Sequence, residues 1–310
     1  MALVFVFPGQ GSQSLGMQQD LAAAFEAVQG TYDQASEVLG YDLWQLVQDG
    51  PAERLNETVV TQPAMLTAGV AAWRAWQAAG GEDPQQLAGH SLGEYSALVC
   101  AGALEFDAAL RLVQRRAQLM QDAVPAGAGA MAAILGLDDQ QVLQVCEQTD
   151  TDGVAEAVNF NAPGQVVIAG DRAAVERVIE AAREQGARRA IMLPVSVPAH
   201  SSLMRSAGEA LAGALADTAF LPPAITVVNG VDATPYRDAA DIREKLRRQI
   251  FSPVRWVDAM RCMLANDATA VIECGPGKVL AGLSRRIERG VPSGYVDTPE
   301  SMQAALQLQQ

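Results

Sequence analysis

The chain has 310 residues, 49% of them apolar and 19% charged, with a formal net charge of −14. That is enough chain for a large buried core and excludes a disordered polymer, while so acidic a surface repels nucleic acid and anionic lipid. Four cysteines, Cys100, Cys146, Cys262 and Cys274, form no CxxC pair beside only two histidines, which argues against a structural zinc site and for reduced thiols in the cytosol.

In chain order, Leu3-Val4-Phe5-Val6-Phe7 is a continuous apolar run of strand length. This is the pattern of a central strand in a parallel sheet. It lacks a basic flank and runs into Pro8-Gly9-Gln10-Gly11, which marks a strand feeding a loop rather than a signal peptide. Helical periodicity covers 17–29, 31–39 and 64–79. Leu87-Ala88 is a short strand signal before Gly89-His90-Ser91-Leu92-Gly93, and helices follow over 94–100 and 107–121.

From 125 onward shorter segments alternate: a strand over 130–135, a helix over 138–148, a strand over 154–160, a turn at Ala162-Pro163-Gly164, and a strand over 165–169. A helix then opens at Asp171, as N-cap, and closes at Gly186 before a strand over 189–195. The order β-α-β-β-α-β is ferredoxin-like. Residues 125–196 therefore read as a small domain inserted into a larger α/β domain made of 1–124 and 197–310. The larger domain resumes with strands at 225–228 and 268–273, the second broken by Gly275-Pro276-Gly277, and ends on a helix with Thr298 as cap and Pro299 at its first position. No stretch approaches the roughly 20 apolar residues of a membrane span.

Gly89-His90-Ser91-Leu92-Gly93 matches G-x-S-x-G. A sharp turn between strand and helix holds a serine at its apex, and the helix N-terminus directs free N–H groups toward it. A serine hydroxyl needs a base, and only His90 and His200 are present. On a tight elbow the side chains of neighbours point apart, which leaves His200, after the extended Pro194-Val195-Ser196-Val197-Pro198-Ala199. Acids are numerous between 91 and 200, so an α/β-hydrolase arrangement with a third acidic residue stays open. On the residues alone the chemistry is a serine acyl-enzyme, with esterase and acyltransferase both open.

Five segments, taken in order, resemble one family. Phe7-Pro8-Gly9-Gln10-Gly11-Ser12-Gln13, Gly89 through Glu94, Asn159 through Gly170, Val197-Pro198-Ala199-His200 and Glu273-Cys274-Gly275-Pro276-Gly277-Lys278 look like the malonyl-coenzyme A:acyl carrier protein transacylases, across nearly the whole chain. The resemblance implies an α/β-hydrolase-like large domain carrying a ferredoxin-like insert. It makes Ser91 the nucleophile and His200 the general base, oriented by the backbone carbonyl of Gln249. The oxyanion would rest on the N–H groups of Gln10 and Leu92, and the substrate carboxylate on Arg116, with Gln62 near the site. Arg115 is the neighbouring candidate; the family's spacing selects Arg116.

The resemblance further implies malonyl-coenzyme A and an acyl carrier protein as partners, no metal or resident cofactor, a monomer, and a free-standing cytoplasmic enzyme of bacterial type II fatty-acid synthesis. Cys274 departs from the aliphatic residue more common in the family. Val197-Pro198-Ala199-His200 departs from the His-Ala-Phe-His of malonyl-selecting modular polyketide synthase domains. A serine esterase and a non-catalytic carrier-protein binder are the rival readings.

Other motifs fall away. Gly9-Gln10-Gly11 lacks a third glycine, since Ser14 stands there, so the dinucleotide fingerprint fails. Arginines cluster at Arg188-Arg189, from Arg243 to Arg248, and at Arg285-Arg286 with Arg289. These are solvated helix faces or a dock for an acidic carrier protein.

Overall fold

The computed structural model describes residues 2–149, 153–195, 197–265 and 268–309. Among them are the strands β1 (Leu3–Phe7), β2 (Gln86–Gly89), β3 (Gly129–Leu135), β4 (Ala155–Ala162), β5 (Gln165–Asp171), β6 (Arg189–Met192), β7 (Thr226–Val228), β8 (Ala270–Cys274) and β9 (Ser293–Val296). They form two sheets.

The larger sheet has the order β7-β2-β1-β8-β9, and every pair in it is parallel. β1 lies at its centre with all five residues buried. Its unbroken apolar run follows from that position, because helices cover both faces and leave no face for polar side chains. Phe5 packs edge-on against Trp73 and Trp76 of the helix Thr58–Ala78. The winding direction reverses between β1 and β8, which opens a crevice outside the carboxyl ends of the strands. The loops after β1 and β2 meet at that end: the His90 N–H donates to the Phe7 carbonyl at 3.0 Å.

The smaller sheet, β4-β5-β3-β6, is antiparallel throughout. With the helices Asp139–Thr149 and Arg172–Glu184 it gives the β-α-β-β-α-β order, around a core that includes Ile134, Val142, Val166, Ile168, Val175 and Val178. Its opposite face carries Met131, Val158, Val167 and Ala169, packed with Leu193, Val195 and Ala199. β4 is fastened to the large domain by backbone bonds: Val254 N–H to the Val158 carbonyl at 2.8 Å, and Phe160 N–H to the Val254 carbonyl at 3.0 Å. The Arg286 guanidinium adds a clasp, donating to the Gln165 side chain and to the Pro163 carbonyl.

Several elements differ from the sequence reading. The break placed at residue 30 falls instead at Phe25, which is extended between the helices Gln19–Ala24 and Glu26–Leu39, so Gly30 is helical. The helix read as 64–79 starts at Thr58; it is buried nearly all round, so it has no polar face to mark its period. The structure adds Leu43–Asp49, Ala52–Leu55, Arg205–Asp217, Ala239–Gln249, Trp256–Leu264 and the partly exposed β9. Asp171 occupies the N-cap position but its side chain does not cap; Oδ2 accepts from the Val154 N–H at 2.8 Å and ties β4 to β5. Asp138 does cap its helix, accepting from the Gln141 N–H at 2.8 Å. β6 ends at Met192 rather than 195, and the proposed domain edge at Ser196 lies outside the described residues. No helix of the described residues is long and apolar enough to cross a membrane.

Candidate active site

The turn between β2 and the helix Gly93–Cys100 is built by two glycines. A Cβ on Gly89 would lie 1.9 Å from the Gly93 carbonyl carbon, and one on Gly93 would lie 2.0 Å from the Phe7 oxygen. Only bare backbone lets the turn sit this close to β1. At its apex Ser91 holds φ 52°, in the left-handed region. Such a conformation costs a non-glycine residue about 1–3 kcal/mol and persists only where its surroundings over-determine it. Here Gly93 N–H to His90 O at 3.0 Å and Glu94 N–H to Ser91 O at 3.1 Å hold it.

His200 meets the serine from the far side of the chain. Its Nε2 lies 2.7 Å from Ser91 Oγ, and its Nδ1 lies 2.7 Å from the Gln249 carbonyl. A carbonyl only accepts, so the proton sits on Nδ1 and Nε2 is left to accept from the serine hydroxyl. Burial, and then the nearby Arg116 charge, push the His200 pKa down to about 3, against the Gln249 carbonyl, which favours the charged form. The imidazole is therefore neutral and able to take a proton near pH 7. A backbone carbonyl stands where an α/β-hydrolase has a carboxylate. His90 is turned away: its Nε2 is 2.8 Å from Asn161 Oδ1, and its ring packs on Trp256.

Arg116 comes from the helix Phe106–Asp122. It lies on the buried face with Leu112 and Met120, while Arg115 is exposed. Nη1 donates to Gln62 Oε1 at 2.7 Å, and Nη2 to Gln249 Oε1 at 3.0 Å and to Ser91 Oγ at 3.3 Å. The group sits over the Tyr95 ring at 5.6 Å. Its Nε has no partner and it has no ion-pair partner among the described residues. A buried guanidinium neutralised by no direct carboxylate, beside a serine hydroxyl, has the charge and the geometry to pair with an anionic group.

Gln10 and Leu92 line the same cavity, of about 130 Å³, and neither N–H has an acceptor among the described residues. Leu92 is the N-cap of Gly93–Cys100, so its N–H is one of the groups a helix start leaves open. The opposite wall comes from the small domain and its exit: Met131, Asn159, Leu193 and Val195. The described residues contain no cluster of metal-ligating side chains.

The sequence reading singled out the Gln249 carbonyl but not its side chain, nor Glu94, Tyr236 or Asn161. Glu94 is fully buried. Its carboxylate accepts from Gln249 Nε2 at 2.6 Å, from the Gly230 N–H at 3.3 Å and from the Tyr236 hydroxyl. Burial pushes the Glu94 carboxyl up, opposed by these donors and by the Arg116 charge. An acid inside the otherwise apolar or small run Gly93–Cys100 was the available signal, because a buried acid requires partners. Cys274, the departure from the family pattern, is fully buried with its thiol against the Gly69 carbonyl at 3.7 Å, and burial pushes that thiol's pKa well up.

Comparison with known proteins agrees on the kind of molecule. A family profile described as "Acyl transferase domain" matches residues 4–296. The malonyl CoA-acyl carrier protein transacylase of Escherichia coli K12 is 52% identical over 304 residues, 98% of each chain. That of Bacillus subtilis 168 is 43% identical, over 98% of this chain and 96% of its own. The crystal structure of an acyl-carrier-protein S-malonyltransferase from Burkholderia pseudomallei 1710b superposes with a TM-score of 0.97 at 53% identity, covering 99% of this chain and 100% of that one. A malonyl-transacylase solved in complex with a type II polyketide synthase acyl-carrier protein also gives 0.97, at 49% identity over 99% of each chain.

Proposed function

The chain belongs to the acyl transferase domain family, and we propose that it moves malonyl from coenzyme A to the phosphopantetheine thiol of an acyl carrier protein through an ester on Ser91. One observation carries this: the buried Arg116 guanidinium lies 3.3 Å from a serine oxygen that is itself 2.7 Å from a neutral imidazole nitrogen. A nucleophile, a proton acceptor and a fixed cation meet at one point. A malonyl thioester presents a carbonyl carbon and, one methylene away, a carboxylate.

The reaction runs in two halves. His200 Nε2 takes the Ser91 proton as Oγ attacks the thioester carbonyl. The oxyanion rests on the N–H groups of Gln10 and Leu92, where one such donor is worth about 10²–10³ in rate. The carbon–sulfur bond breaks, and the departing coenzyme A sulfur takes the proton from His200. In the second half the carrier's thiol gives His200 its proton and attacks the ester, and Oγ leaves with that proton. Arg116 holds the malonate carboxylate throughout, and Gln62 and Gln249 steady the guanidinium. Between the halves the buried cavity must exclude water.

Since these residues supply nucleophile, base and charge stabilisation, the reading calls for no metal or resident cofactor, and the pantetheine belongs to the substrates. We read the enzyme as a monomer acting in the cytosol. Intact-protein mass after brief mixing with malonyl-coenzyme A, beside Ser91→Ala, tests the proposal. A malonyl adduct that requires Ser91 and passes to holo carrier protein is the expected result. An adduct lost to water regardless of carrier identifies an esterase, and no adduct identifies a binding protein.

A further inference from the structure

The transfer just described leaves one buried group unused, the carboxylate of Glu94. Its three donors are the Gln249 amide, the Gly230 N–H and the Tyr236 hydroxyl, so it serves as an acceptor only. On the other side of the same Gln249 amide stands Arg116, whose guanidinium can only donate. The Gln249 amide thus lies between an acceptor-only group and a donor-only group. One orientation satisfies both: Nε2 faces Glu94 and, with its second hydrogen, the Ser91 carbonyl at 3.0 Å, while Oε1 faces Arg116. Turned over, the amide oxygen would face a carboxylate and a carbonyl, and its NH2 would face a cation, in a site where solvent screens little.

The arrangement suits a receptor. Arg116 is held by two amide oxygens, from Gln62 and Gln249. These carry partial charge, enough to orient the guanidinium and too little to compete with an arriving carboxylate. The Glu94 carboxyl sits one side chain further away, where it cannot occupy the anion position.

We propose that Glu94 is a specificity-determining positioning residue: through the Gln249 amide it fixes the acceptor that steadies Arg116 beside Ser91, and so sets the preference for a carboxylate-bearing acyl group over a neutral one. This rests on the transfer reading above. The readout is the ratio of kcat/KM for Ser91 acylation by malonyl-coenzyme A to that by acetyl-coenzyme A.

Three variants decide it. Glu94→Met keeps the length and bulk but removes the acceptor that faces the Gln249 NH2; the ratio is expected to fall about tenfold or more, the size of one hydrogen bond to a charged group, mainly through a higher KM for malonyl-coenzyme A. Glu94→Asp is shorter but remains an acceptor, and is expected to keep more of the ratio than Glu94→Met. A packing role would reverse that order, because the side chain of matching length would then be the milder change. Gln249→Met removes the relay while keeping the backbone carbonyl behind His200; the ratio is expected to fall here too, which keeps the inference testable if Glu94→Met does not fold. An unchanged ratio in Gln249→Met, or a greater loss in Glu94→Asp than in Glu94→Met, overturns it. Wild type is measured alongside: without a malonyl ester on Ser91 there, the transfer reading fails first and takes this inference with it.

Discussion

Ser91 and His200 both hold left-handed backbone conformations, at φ 52° and 69°, so the contact between hydroxyl and imidazole is set by two strained residues facing each other. Their protonation chemistry follows from burial. The folded pKa of His200 is about 3, against about 6.5 in an unfolded chain. The acylation rate with malonyl-coenzyme A should therefore stay flat from pH 8 to below pH 5, and an inflection near 6.5 would show a solvent-open imidazole. The same depression bears on stability. Between about 3 and 6.5 the unfolded chain binds a proton that the folded chain does not, so the contribution is complete above 6.5 and is lost as pH falls toward 3. His200→Asn should flatten the fall of Tm below pH 6. At Arg116, truncation to Ala should cost malonyl transfer roughly a hundredfold or more, the scale for removing one partner of a buried charge contact. It should cost acetyl transfer far less, as steady-state rates with the two donors would report.

Single elements carry their own constraints, and β8 is the instructive one. Glu273 lies fully buried near its end, with Oε2 accepting from the Ala281 N–H at 2.8 Å in the helix Val279–Ile287. Its other oxygen has no partner among the described residues. Burial raises its pKa to about 7, opposed by the N–H groups at that helix start and reinforced by Asp297. The folded chain then holds a proton that the unfolded one releases, so stability from this group is present at low pH and is lost as pH rises through about 7. Glu273→Gln keeps the acceptor without the charge. Its Tm advantage over wild type should widen between pH 5 and 8, and a gap independent of pH would mean the carboxyl is solvated.

How far the sequence reached also differs by element. β1 was legible because burial on both faces writes an unbroken apolar run, and the small domain because its strands and helices alternate at short spacing. The start of Thr58–Ala78 and the edge strand β9 were not, since one lacks a polar face and the other lacks an apolar run. In the site, scarcity of histidine pointed to His200. Arg116 was chosen over Arg115 by the family's spacing, and the structure places it in a buried column with Leu112 and Met120. The amide relay from Glu94 was illegible, because its partners at Gly230, Tyr236 and Gln249 lie far along the chain and are joined only by folding.

At the scale of the molecule, two sheets with separate cores close over one cavity. Their contact is partly backbone, at β4 and Val254, and partly the exposed Arg286 clasp. The clustered arginines are largely engaged within the chain: Arg243 with the Leu215 and Thr218 carbonyls, Arg247 with Glu244, Arg248 with Asp232, and Arg285 with Ser293. Arg286→Ala should speed amide exchange at the turn between β4 and β5, with a stability loss of about 1 kcal/mol. Exchange unchanged at that turn would show that the Arg286 clasp adds nothing to the hold on the small domain.

The mixed parentage of the cavity wall has a consequence for engineering. Ser91, His200, Arg116 and Gln249 all lie outside 125–196, whereas Met131, Asn159, Leu193 and Val195 lie within it. The serine, imidazole and guanidinium and the facing cavity wall are therefore separate cassettes of one gene product. Exchanging the insert between relatives would recut that wall while leaving these three groups in their original sequence, with the seam at Val254 as the joint that the two halves must match.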